Sequence, residues 1–307
     1  MKPLRIGTRD SQLAVWQATL VQNLLKDAGL ASELVYIKSE GDIDTVTPLY
    51  ALGVQGVFTK TLDAALLNHR IDIAVHSMKD VPTQLAQGIQ QAAVLKRASH
   101  KDIIVYKDGP EFLEDKDSVA TIATGSIRRV AQWLHRYPNH RTENLRGNVN
   151  TRLRKLAESD WKGAIFAAAG LERIHLRPER SIDLDWMLPA PSQGAIMIVC
   201  REGDDFAFEA CQPFNHEATA LCTKIEKDFL RVLMGGCSTP ISALAEVNGD
   251  TILFRGNICS PDGRELRELS FESHKKESAN LGEEAARQIL KDPVAQHIIQ
   301  TVRNGKA

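Results

Sequence analysis

The sequence predicts an α/β fold of two doubly wound lobes, followed by a small α+β C-terminal domain. Short β-branched runs alternate with amphipathic helical segments over most of the chain, as is typical of sheets covered by helices on both faces. Two crossovers, Val94–Ile104 and Pro189–Ala195, divide this region into two lobes. The pattern then changes to one long helix, a hairpin, a further turn and a terminal helix, which indicates a separate unit.

The composition is that of an ordinary water-soluble globular protein, with a formal net charge of -1 and 43% hydrophobic residues. A chain of 307 residues exceeds one core, which predicts two or three domains. From the crossovers and the change of pattern we expect three, at 1–97 with 196–213, 98–195 and 214–307. No stretch has the character of a signal peptide or a membrane span, which favours the cytoplasm.

The cysteines are odd in number and too widely spaced for a paired-cysteine zinc motif. We therefore expect reduced thiols rather than a disulfide framework, and no metal site. The five positions are Cys200, Cys211, Cys222, Cys237 and Cys259.

The first lobe begins with a strand, an arginine and a helix start in direct succession. Leu4–Thr8 is predicted to be the strand, and Asp10 or Ser11 is suited to cap the helix that follows. Helix-start amides beside the Arg9 guanidinium would form an anion-binding site. The alternative is that Arg9 is a solvated surface charge.

A second strand, Glu33–Lys38, precedes a long segment without periodicity. This segment, Gly41–Gly56, is interpreted as a mobile loop. A helix is predicted at Phe58–Asn68, where Phe58 either packs in the core or lines a pocket.

The buried strand that begins at Ile71 ends abruptly in polar residues. In open α/β sheets, ligands bind beyond the carboxyl ends of the strands, so Lys79 and Asp80 are expected at the mouth of a cleft. A carboxylate beside an ammonium stays ionised and can stabilise a cationic substrate, which suits an acid/base and electrostatic role. The alternative is that both are solvated loop charges before Pro82.

The second lobe concentrates arginines at two predicted helix starts. Arg128 and Arg129 follow a Thr-Gly-Ser turn, and Arg146 and Arg152 flank a Gly-Asn turn, so both groups should face one strand-end crevice. Between positions 128 and 155 the single acid is Glu143, which indicates a polyanionic ligand. Nucleic acid is disfavoured because stacking aromatics are scarce nearby and the pI is about 6.8.

The strand Ile196–Cys200 is expected to rejoin the first sheet. In the third part we predict a helix from His216 through Leu233, capped by Asn215. Hairpin or turn signals at Asn248-Gly249 and Pro261-Asp262-Gly263 lead to a terminal helix near Ala279–Leu290.

The stretch Glu226–Ile241 contains the run Leu-Arg-Val-Leu-Met-Gly-Gly-Cys-Ser-Thr-Pro. Six other motifs occur along nearly the whole chain: Arg9–Ser11, Gly56–Phe58, His76–Pro82, Ser126–Arg129, Leu145–Arg152 and Gln193–Ala195. In their order and approximate spacing, these motifs resemble the porphobilinogen deaminase family, also called hydroxymethylbilane synthases.

This resemblance implies two lobes like those of type II periplasmic binding proteins, and a third domain that presents Cys237 to their cleft. It implies that Cys237 carries a dipyrromethane cofactor through a thioether, and that four porphobilinogen molecules are deaminated and joined head to tail onto it in heme biosynthesis. A monomer without membrane or nucleic-acid partners is implied. Asp80 matches the family's catalytic aspartate. The implied cofactor- and substrate-binding residues are Arg9, Ser11, Phe58, Ser77, Lys79, Thr124, Ser126, Arg128, Arg129, Arg146, Arg152 and Gln193.

The chain departs from the family pattern at a few positions. Gly125 stands where the family often has serine, Ala51 and Gln55 where it often has lysine, and Lys227 where arginine is frequent. The alternative from another class is a non-catalytic two-lobed protein that binds a small anion. Such a protein would need neither Asp80 nor a Gly-Gly-Cys loop.

Overall fold

The computed structural model describes residues 2–38, 59–115, 117–233 and 239–303. Three sheets organise these residues. Two sheets are five-stranded and mixed, and the third has three antiparallel strands. The expected α/β architecture with a small C-terminal α+β unit is confirmed by this arrangement.

The first sheet has the strand order β2-β1-β3-β10-β4. Its strands are β1 (Leu4–Thr8), β2 (Ser32–Tyr36), β3 (Ile73–Ser77), β4 (Ile89–Val94) and β10 (Ile196–Arg201). β1 runs parallel to β2 and β3, whereas β10 is antiparallel to β3 and β4. Helices α1 (Gln12–Asp27) and α2 (Lys60–Leu67) pack against this sheet. The prediction that Ile196–Cys200 rejoins the first sheet is therefore confirmed.

The second sheet repeats this plan, with the order β7-β6-β8-β5-β9. Its strands are β5 (Asp102–Tyr106), β6 (Thr121–Ala123), β7 (Arg141–Glu143), β8 (Gly163–Ala167) and β9 (Ser181–Asp183). β6 is parallel to β7 and β8, and β5 is antiparallel to β8. The helices of this lobe are α3 (Ile127–Arg136), α4 (Val149–Glu158) and α5 (Ala168–Glu172). In each of these two five-stranded sheets, one central strand runs antiparallel to its neighbours: β10 in the first and β5 in the second. The chain reaches each of these strands directly from the other lobe.

The two crossovers between the lobes lie side by side. Leu95 N donates to Ile196 O at 3.0 Å, and Ala98 N donates to Gly194 O at 3.1 Å. Gly194 has φ 87°, and a Cβ atom there would lie 2.5 Å from Ser99 O. Only glycine therefore permits both this backbone conformation and this close approach.

The third unit packs α7 (Glu217–Val232) against a hairpin-connected sheet. The sheet consists of β11 (Ile241–Asn248), β12 (Thr251–Cys259) and β13 (Leu266–His274). Helices α8 (Leu281–Ile289) and α9 (Pro293–Arg303) complete the core of this unit. Helix α6 (Asp205–Cys211), which follows β10, packs instead in the core of the first lobe. Phe229 and Phe254 meet edge to face in the core, with ring centroids 5.2 Å apart. No helix in the described part of the chain is both long and apolar enough to cross a lipid bilayer.

The predicted cap of α7 is wrong. His216 occupies the N-cap position, and its Nδ1 accepts from Thr219 N at 3.2 Å. The Asn215 side chain instead accepts from Val94 N at 2.9 Å, which ties the end of β4 to the start of α7. A tertiary contact has therefore replaced the local capping bond that the sequence suggested.

Candidate active site

The carboxyl end of β3 lies beside the start of β10. Residues 73–76 are buried, and the chain then passes through a single 3-10 turn, Met78–Asp80. Met78 N donates to Ala195 O at 3.0 Å, so the second crossover fixes this turn. Lys79 and Asp80 thus follow the end of a buried strand directly, as the sequence predicted.

A pocket lies between this strand end and the start of α1. Its lining includes Arg9, Ser11, Ser77 and Asp80. Ser11 caps α1, since its Oγ accepts from Ala14 N at 3.4 Å. The positive end of a helix and an arginine therefore border a pocket that also contains a carboxylate.

Two further residues of this pocket were not predicted. Gln17 is buried, and its Nε2 donates to Ser77 Oγ at 2.9 Å, which fixes the serine hydroxyl. His76 is buried as well. Burial, together with the charges of Arg9 and Lys227, lowers the pKa of His76 to about 4. The imidazole is therefore neutral at physiological pH.

Lys79 is half-buried, and its Nζ donates to Gln193 Oε1 at 3.3 Å. Burial and the nearby Arg129 guanidinium lower the pKa of Lys79 to about 8. Asp80 and Asp102 act in the opposite direction and favour the charged form. The protonation of this ammonium thus depends on the balance of the charges around it.

Arg128 and Arg129, in the first turn of α3, converge on one buried carboxylate. Arg128 Nη1 lies 2.8 Å from Asp102 Oδ2, and Arg129 Nε and Nη2 donate to Asp102 Oδ1 at 3.0 and 2.7 Å. Burial by itself raises the pKa of Asp102, but the two guanidiniums hold it well below its usual range. Asp102 was not predicted as a site residue, because its charged surroundings in the sequence indicated only a crossover.

The two arginines differ in which of their guanidinium nitrogen atoms have hydrogen-bond partners in the protein. Arg129 also donates through Nη1 to Ile165 O at 3.0 Å. Arg128 donates to Leu188 O at 2.8 Å, but within the described residues its buried Nε has no hydrogen-bond partner. Because an unsatisfied buried donor is costly, this Nε marks a place suited to an acceptor on a ligand.

Thr124 and Ser126 form the turn that opens α3. Thr124 is buried, and its Oγ1 accepts from Ser126 N at 3.3 Å. A Cβ atom at Gly125 would lie 2.5 Å from Leu145 O. The close approach of these two loops explains physically why this chain has glycine at position 125.

Arg146 and Arg152 lie on either side of the start of α4. Arg146 is buried, and its carbonyl accepts from Lys155 Nζ at 3.2 Å. Arg152 Nε donates to Gly147 O at 2.7 Å. The Gly147 turn and the first turn of α4 thus hold both arginines at the end of the second sheet.

The charges that act on Arg152 come from both lobes. Burial and the charges of Arg129 and Arg146 lower the pKa of Arg152 to about 10. Asp80 opposes this shift, and Arg9 adds to it. Charged groups of both lobes therefore act on the same guanidinium.

Another arginine at this junction was missed by the sequence analysis. Arg173 Nη2 donates to Gly194 O at 2.7 Å, and its guanidinium lies 5.8 Å from the centre of the Trp16 ring. Burial lowers the pKa of Arg173 to about 10. A residue of the second lobe therefore contacts both a crossover and a helix of the first lobe, which no local sequence pattern indicates.

Some predicted positions lie outside the described residues. They are Phe58, Cys237, the loop Gly41–Gly56 and, within it, Ala51 and Gln55. The other predicted site residues are all described. The structure brings Arg9, Ser11, Ser77 and Asp80 together in the pocket, and it connects Lys79, Gln193, Arg128 and Arg129 through Asp102.

The fold and the cleft define a two-lobed α/β protein that presents cations from both lobes, and one carboxylate, to a ligand with several negative charges. A family model described as "Porphobilinogen deaminase, dipyromethane cofactor binding domain" matches residues 4–209, and one described as "Porphobilinogen deaminase, C-terminal domain" matches residues 220–291. The chain belongs to the porphobilinogen deaminase family. Its activity is that of a porphobilinogen deaminase, a transferase of tetrapyrrole biosynthesis with a dipyrromethane cofactor.

Relatives match over most of the chain. The porphobilinogen deaminase of Acidithiobacillus ferrooxidans is 41% identical over 308 residues, which cover 98% of each chain. The chloroplastic porphobilinogen deaminase of Oryza sativa subsp. japonica is 42% identical over 276 residues, 87% of this chain and 77% of the relative. A solved periplasmic substrate-binding protein of an ABC transporter from Coxiella burnetii has 15% identity and a TM-score of 0.44, and the match covers 71% of this chain and 94% of that one.

Proposed function

We propose that the chain joins four porphobilinogen molecules head to tail onto a dipyrromethane primer attached through a thioether to Cys237. One ammonia leaves for each molecule added, and water finally releases the linear tetrapyrrole. The observation that carries this proposal is the environment of Asp80. This carboxylate borders the pocket at the end of β3 and acts on cations of both lobes, so that charge stabilisation and carboxylate binding can occur in one cleft.

The donor set of the cleft fits dipyrromethane. Each pyrrole brings two carboxylates, and forked guanidinium groups bind carboxylates through paired hydrogen bonds. The buried Nε of Arg128, which has no hydrogen-bond partner among the described residues, supports this fit because a carboxylate could accept from it. When bound, dipyrromethane supplies the terminal pyrrole carbon to which the first substrate is joined. The residues proposed to hold cofactor and substrate are Arg9, Ser11, Phe58, Ser77, Lys79, Thr124, Ser126, Arg128, Arg129, Arg146, Arg152 and Gln193.

Asp80 is proposed to act on the positive charge that develops in the substrate. Loss of ammonia from porphobilinogen leaves an electron-poor ring, and its pyrrole nitrogen bears much of the charge. A carboxylate fixed beside that nitrogen stabilises the charge and can accept a proton from the ring. His76, which burial keeps neutral, adds no competing positive charge to this pocket.

The state of the other cysteines supports Cys237 as the attachment site. Cys200, Cys211, Cys222 and Cys259 are all buried. Burial raises the pKa of Cys211 and Cys259 to about 12 and that of Cys222 to about 11. Because the thiolate is the reactive form, these four thiols are poor nucleophiles.

The chain is also proposed to have its domains at 1–97 with 196–213, 98–195 and 214–307. The sheets support this division, since all strands of each sheet come from one of these ranges. A cytoplasmic monomer without nucleic-acid or membrane partners is part of the same proposal. The chloroplastic relative from Oryza sativa indicates that the compartment varies within the family.

The intact mass of the purified protein tests the covalent cofactor against a non-catalytic anion-binding protein. We expect a mass above that of the sequence by two porphobilinogen units less two ammonias, and peptide mapping should place it on Cys237. Cys237→Ala should lose both the added mass and the activity. The control Cys259→Ala, at a buried thiol, should keep the added mass. Unmodified Cys237 in fully active protein would contradict the proposal.

A further inference from the structure

Asp102 occupies a junction between the two lobes. It is the first residue of β5, near the end of the first crossover, and it is fully buried. Its carboxylate contacts Arg128 and Arg129 of α3 and also accepts from Gln193 Nε2 of the second crossover, at 2.9 Å. Several charge-assisted bonds to one buried carboxylate hold their donors in a single geometry. Asp102 therefore joins α3 to both crossovers.

The same network decides which way the Gln193 amide faces. Gln193 Nε2 donates to His100 O at 2.8 Å and to Asp102 Oδ1 at 2.9 Å, which uses both of its hydrogens. The amide oxygen must then lie on the other side, where it accepts from Lys79 Nζ at 3.3 Å. With the amide reversed, its NH₂ group would face the ammonium, donor against donor. Asp102 and the His100 carbonyl together thus turn the amide oxygen of Gln193 toward Lys79.

The charges around Lys79 come from three elements. Arg128 and Arg129 of α3 repel the ammonium, whereas Asp80 of the 3-10 turn and Asp102 of β5 attract it. Burial, the largest influence, also disfavours the charged form, and the pKa of Lys79 comes to about 8. Removal of Asp102 would leave three cations facing the single carboxylate of Asp80. The Lys79 ammonium would then lose its proton at lower pH.

We propose that Asp102 is a positioning residue that fixes Arg128 and Arg129 and, through Gln193, keeps the Lys79 ammonium in place for the carboxylates of porphobilinogen. Asp102 itself is fully buried, and no contact between it and the substrate is part of this role. Its role rests on the proposed function, because the cations that it fixes are those proposed to hold substrate. This role also explains how the protein tolerates so many neighbouring cations before any ligand binds, because the Asp102 carboxylate is a counter-ion that the protein itself supplies.

The test compares Asp102→Asn with Asp183→Asn, a control at a half-exposed carboxylate on the adjacent strand β9 that pairs with Lys101 and Arg177. The first readout is acetylation of Lys79 by acetic anhydride as a function of pH, followed by peptide mass spectrometry on cofactor-loaded protein. In Asp102→Asn the midpoint of Lys79 labelling should fall by about one pH unit or more. In the control it should stay unchanged. Labelling needs no turnover, so this result is independent of the proposed deaminase mechanism.

The second readout is the pH dependence of kcat/KM for porphobilinogen. Its alkaline limb should move to lower pH in Asp102→Asn by the same amount as the labelling midpoint, and Asp102→Glu, which keeps the charge, should recover part of the shift. A folded Asp102→Asn variant with the wild-type labelling midpoint would overturn the proposal. A shifted midpoint with an unmoved kcat/KM limb would count against Lys79 as a substrate contact and leave the positioning role intact.

A variant that keeps the buried ion pairs covers the case in which Asp102→Asn does not fold. Gln193→Leu retains the contacts of Asp102 with Arg128 and Arg129 but removes the acceptor of Lys79. Its Lys79 midpoint should fall in the same direction, by less than in Asp102→Asn. An unchanged midpoint in Gln193→Leu would mean that the amide does not transmit the position of Asp102, and the proposal would fail.

Discussion

At the scale of single residues, Asp80 lies in a cleft where cations outnumber carboxylates. Its charge raises the pKa of both Lys79 and Arg152, against the stronger effect of burial. A fixed carboxylate in such a place stabilises the positive charge that develops on the pyrrole ring in the transition state more than it stabilises the uncharged ring of the bound substrate. This difference is the condition for accelerating the chemical step rather than only tightening binding.

Asp80→Asn keeps the shape of the side chain and removes its charge. We expect kcat to fall by roughly a hundredfold or more, as is typical when an acid/base group is lost. Asp80→Glu keeps the charge on a longer stem and should retain part of the activity. Both should be measured on protein whose mass shows full cofactor loading, because an unloaded protein would mimic a catalytic defect. Near-normal kcat in loaded Asp80→Asn would remove Asp80 from the mechanism.

The sequence predicted the residues of the cleft that follow local rules. Lys79 and Asp80 come directly after a buried strand, and Arg128 stands at a helix start. Asp102 could not be found in this way, since it is 27 residues from Arg129 and 91 from Gln193. Its role depends on burial and on partners that only the folded chain brings together.

At the scale of elements, the crossovers depend on a glycine that packs against the other crossover. Gly194 has φ 87°, and an added Cβ would lie 2.5 Å from Ser99 O and 2.9 Å from Ala98 O. Gly29, at the end of α1, has φ 79° but no heavy atom within 4 Å of the same position. The two glycines share a conformation and differ only in their surroundings.

We therefore expect unequal losses of stability in Gly194→Ala and Gly29→Ala. Alanine in the left-handed conformation costs about 1 kcal/mol, which should be the whole effect at Gly29. At Gly194 the overlap with two carbonyl oxygens should add about 1–3 kcal/mol, as overpacking does elsewhere. Urea unfolding followed by circular dichroism gives both free energies of unfolding. Equal losses of stability at the two positions would show that the crossovers can move apart and accept the added methyl group at no cost in free energy.

Helices, strands and turns were predicted well where their own residues determine them. They were predicted less well at the edge of a sheet and near the end of the chain. The hairpin at Asn248-Gly249 joins β11 to β12, as expected from its turn residues. The strand β7 was missed because its sequence, Arg-Thr-Glu, is polar and belongs to a sheet edge. The helix α9 was also missed, and its buried face, with Ile298 and Ile299, has its place only in the core of the third unit.

At the scale of the whole molecule, one residue of α7 joins the three structural units. Glu226 is fully buried and accepts from Arg97 Nη1 and Nη2 of the first crossover at 2.7 and 2.6 Å. It also accepts from Ser192 N of the second crossover at 2.6 Å and from Ala245 N of β11 at 2.8 Å. The neighbouring Lys227 donates to Val81 O, just beyond Asp80, at 2.7 Å. The third unit is thus anchored both at the junction of the lobes and next to the cleft.

Glu226→Gln tests whether this anchor holds the units together. Glutamine keeps the size of the side chain but leaves the largely buried Arg97 guanidinium, whose side chain is 12% exposed, without its ion-pair partner. Breaking a buried ion pair in this way typically costs about 3–5 kcal/mol, so the free energy of unfolding in urea should fall by that amount. Glu283→Gln, which breaks the more exposed pairs with Arg231 and Arg287, is the matched control and should cost at most about 1 kcal/mol.

The double variant Arg97→Met with Glu226→Met separates the charge from the packing. It removes both buried charges, so it should recover a large part of the loss seen in Glu226→Gln. The amides of Ser192 and Ala245 would still lose their acceptor, and for that reason recovery should be incomplete. A loss in Glu226→Gln no greater than in Glu283→Gln would mean that apolar packing alone holds the third unit to the crossovers. A double variant as unstable as Glu226→Gln would instead assign the stability to the two backbone amides.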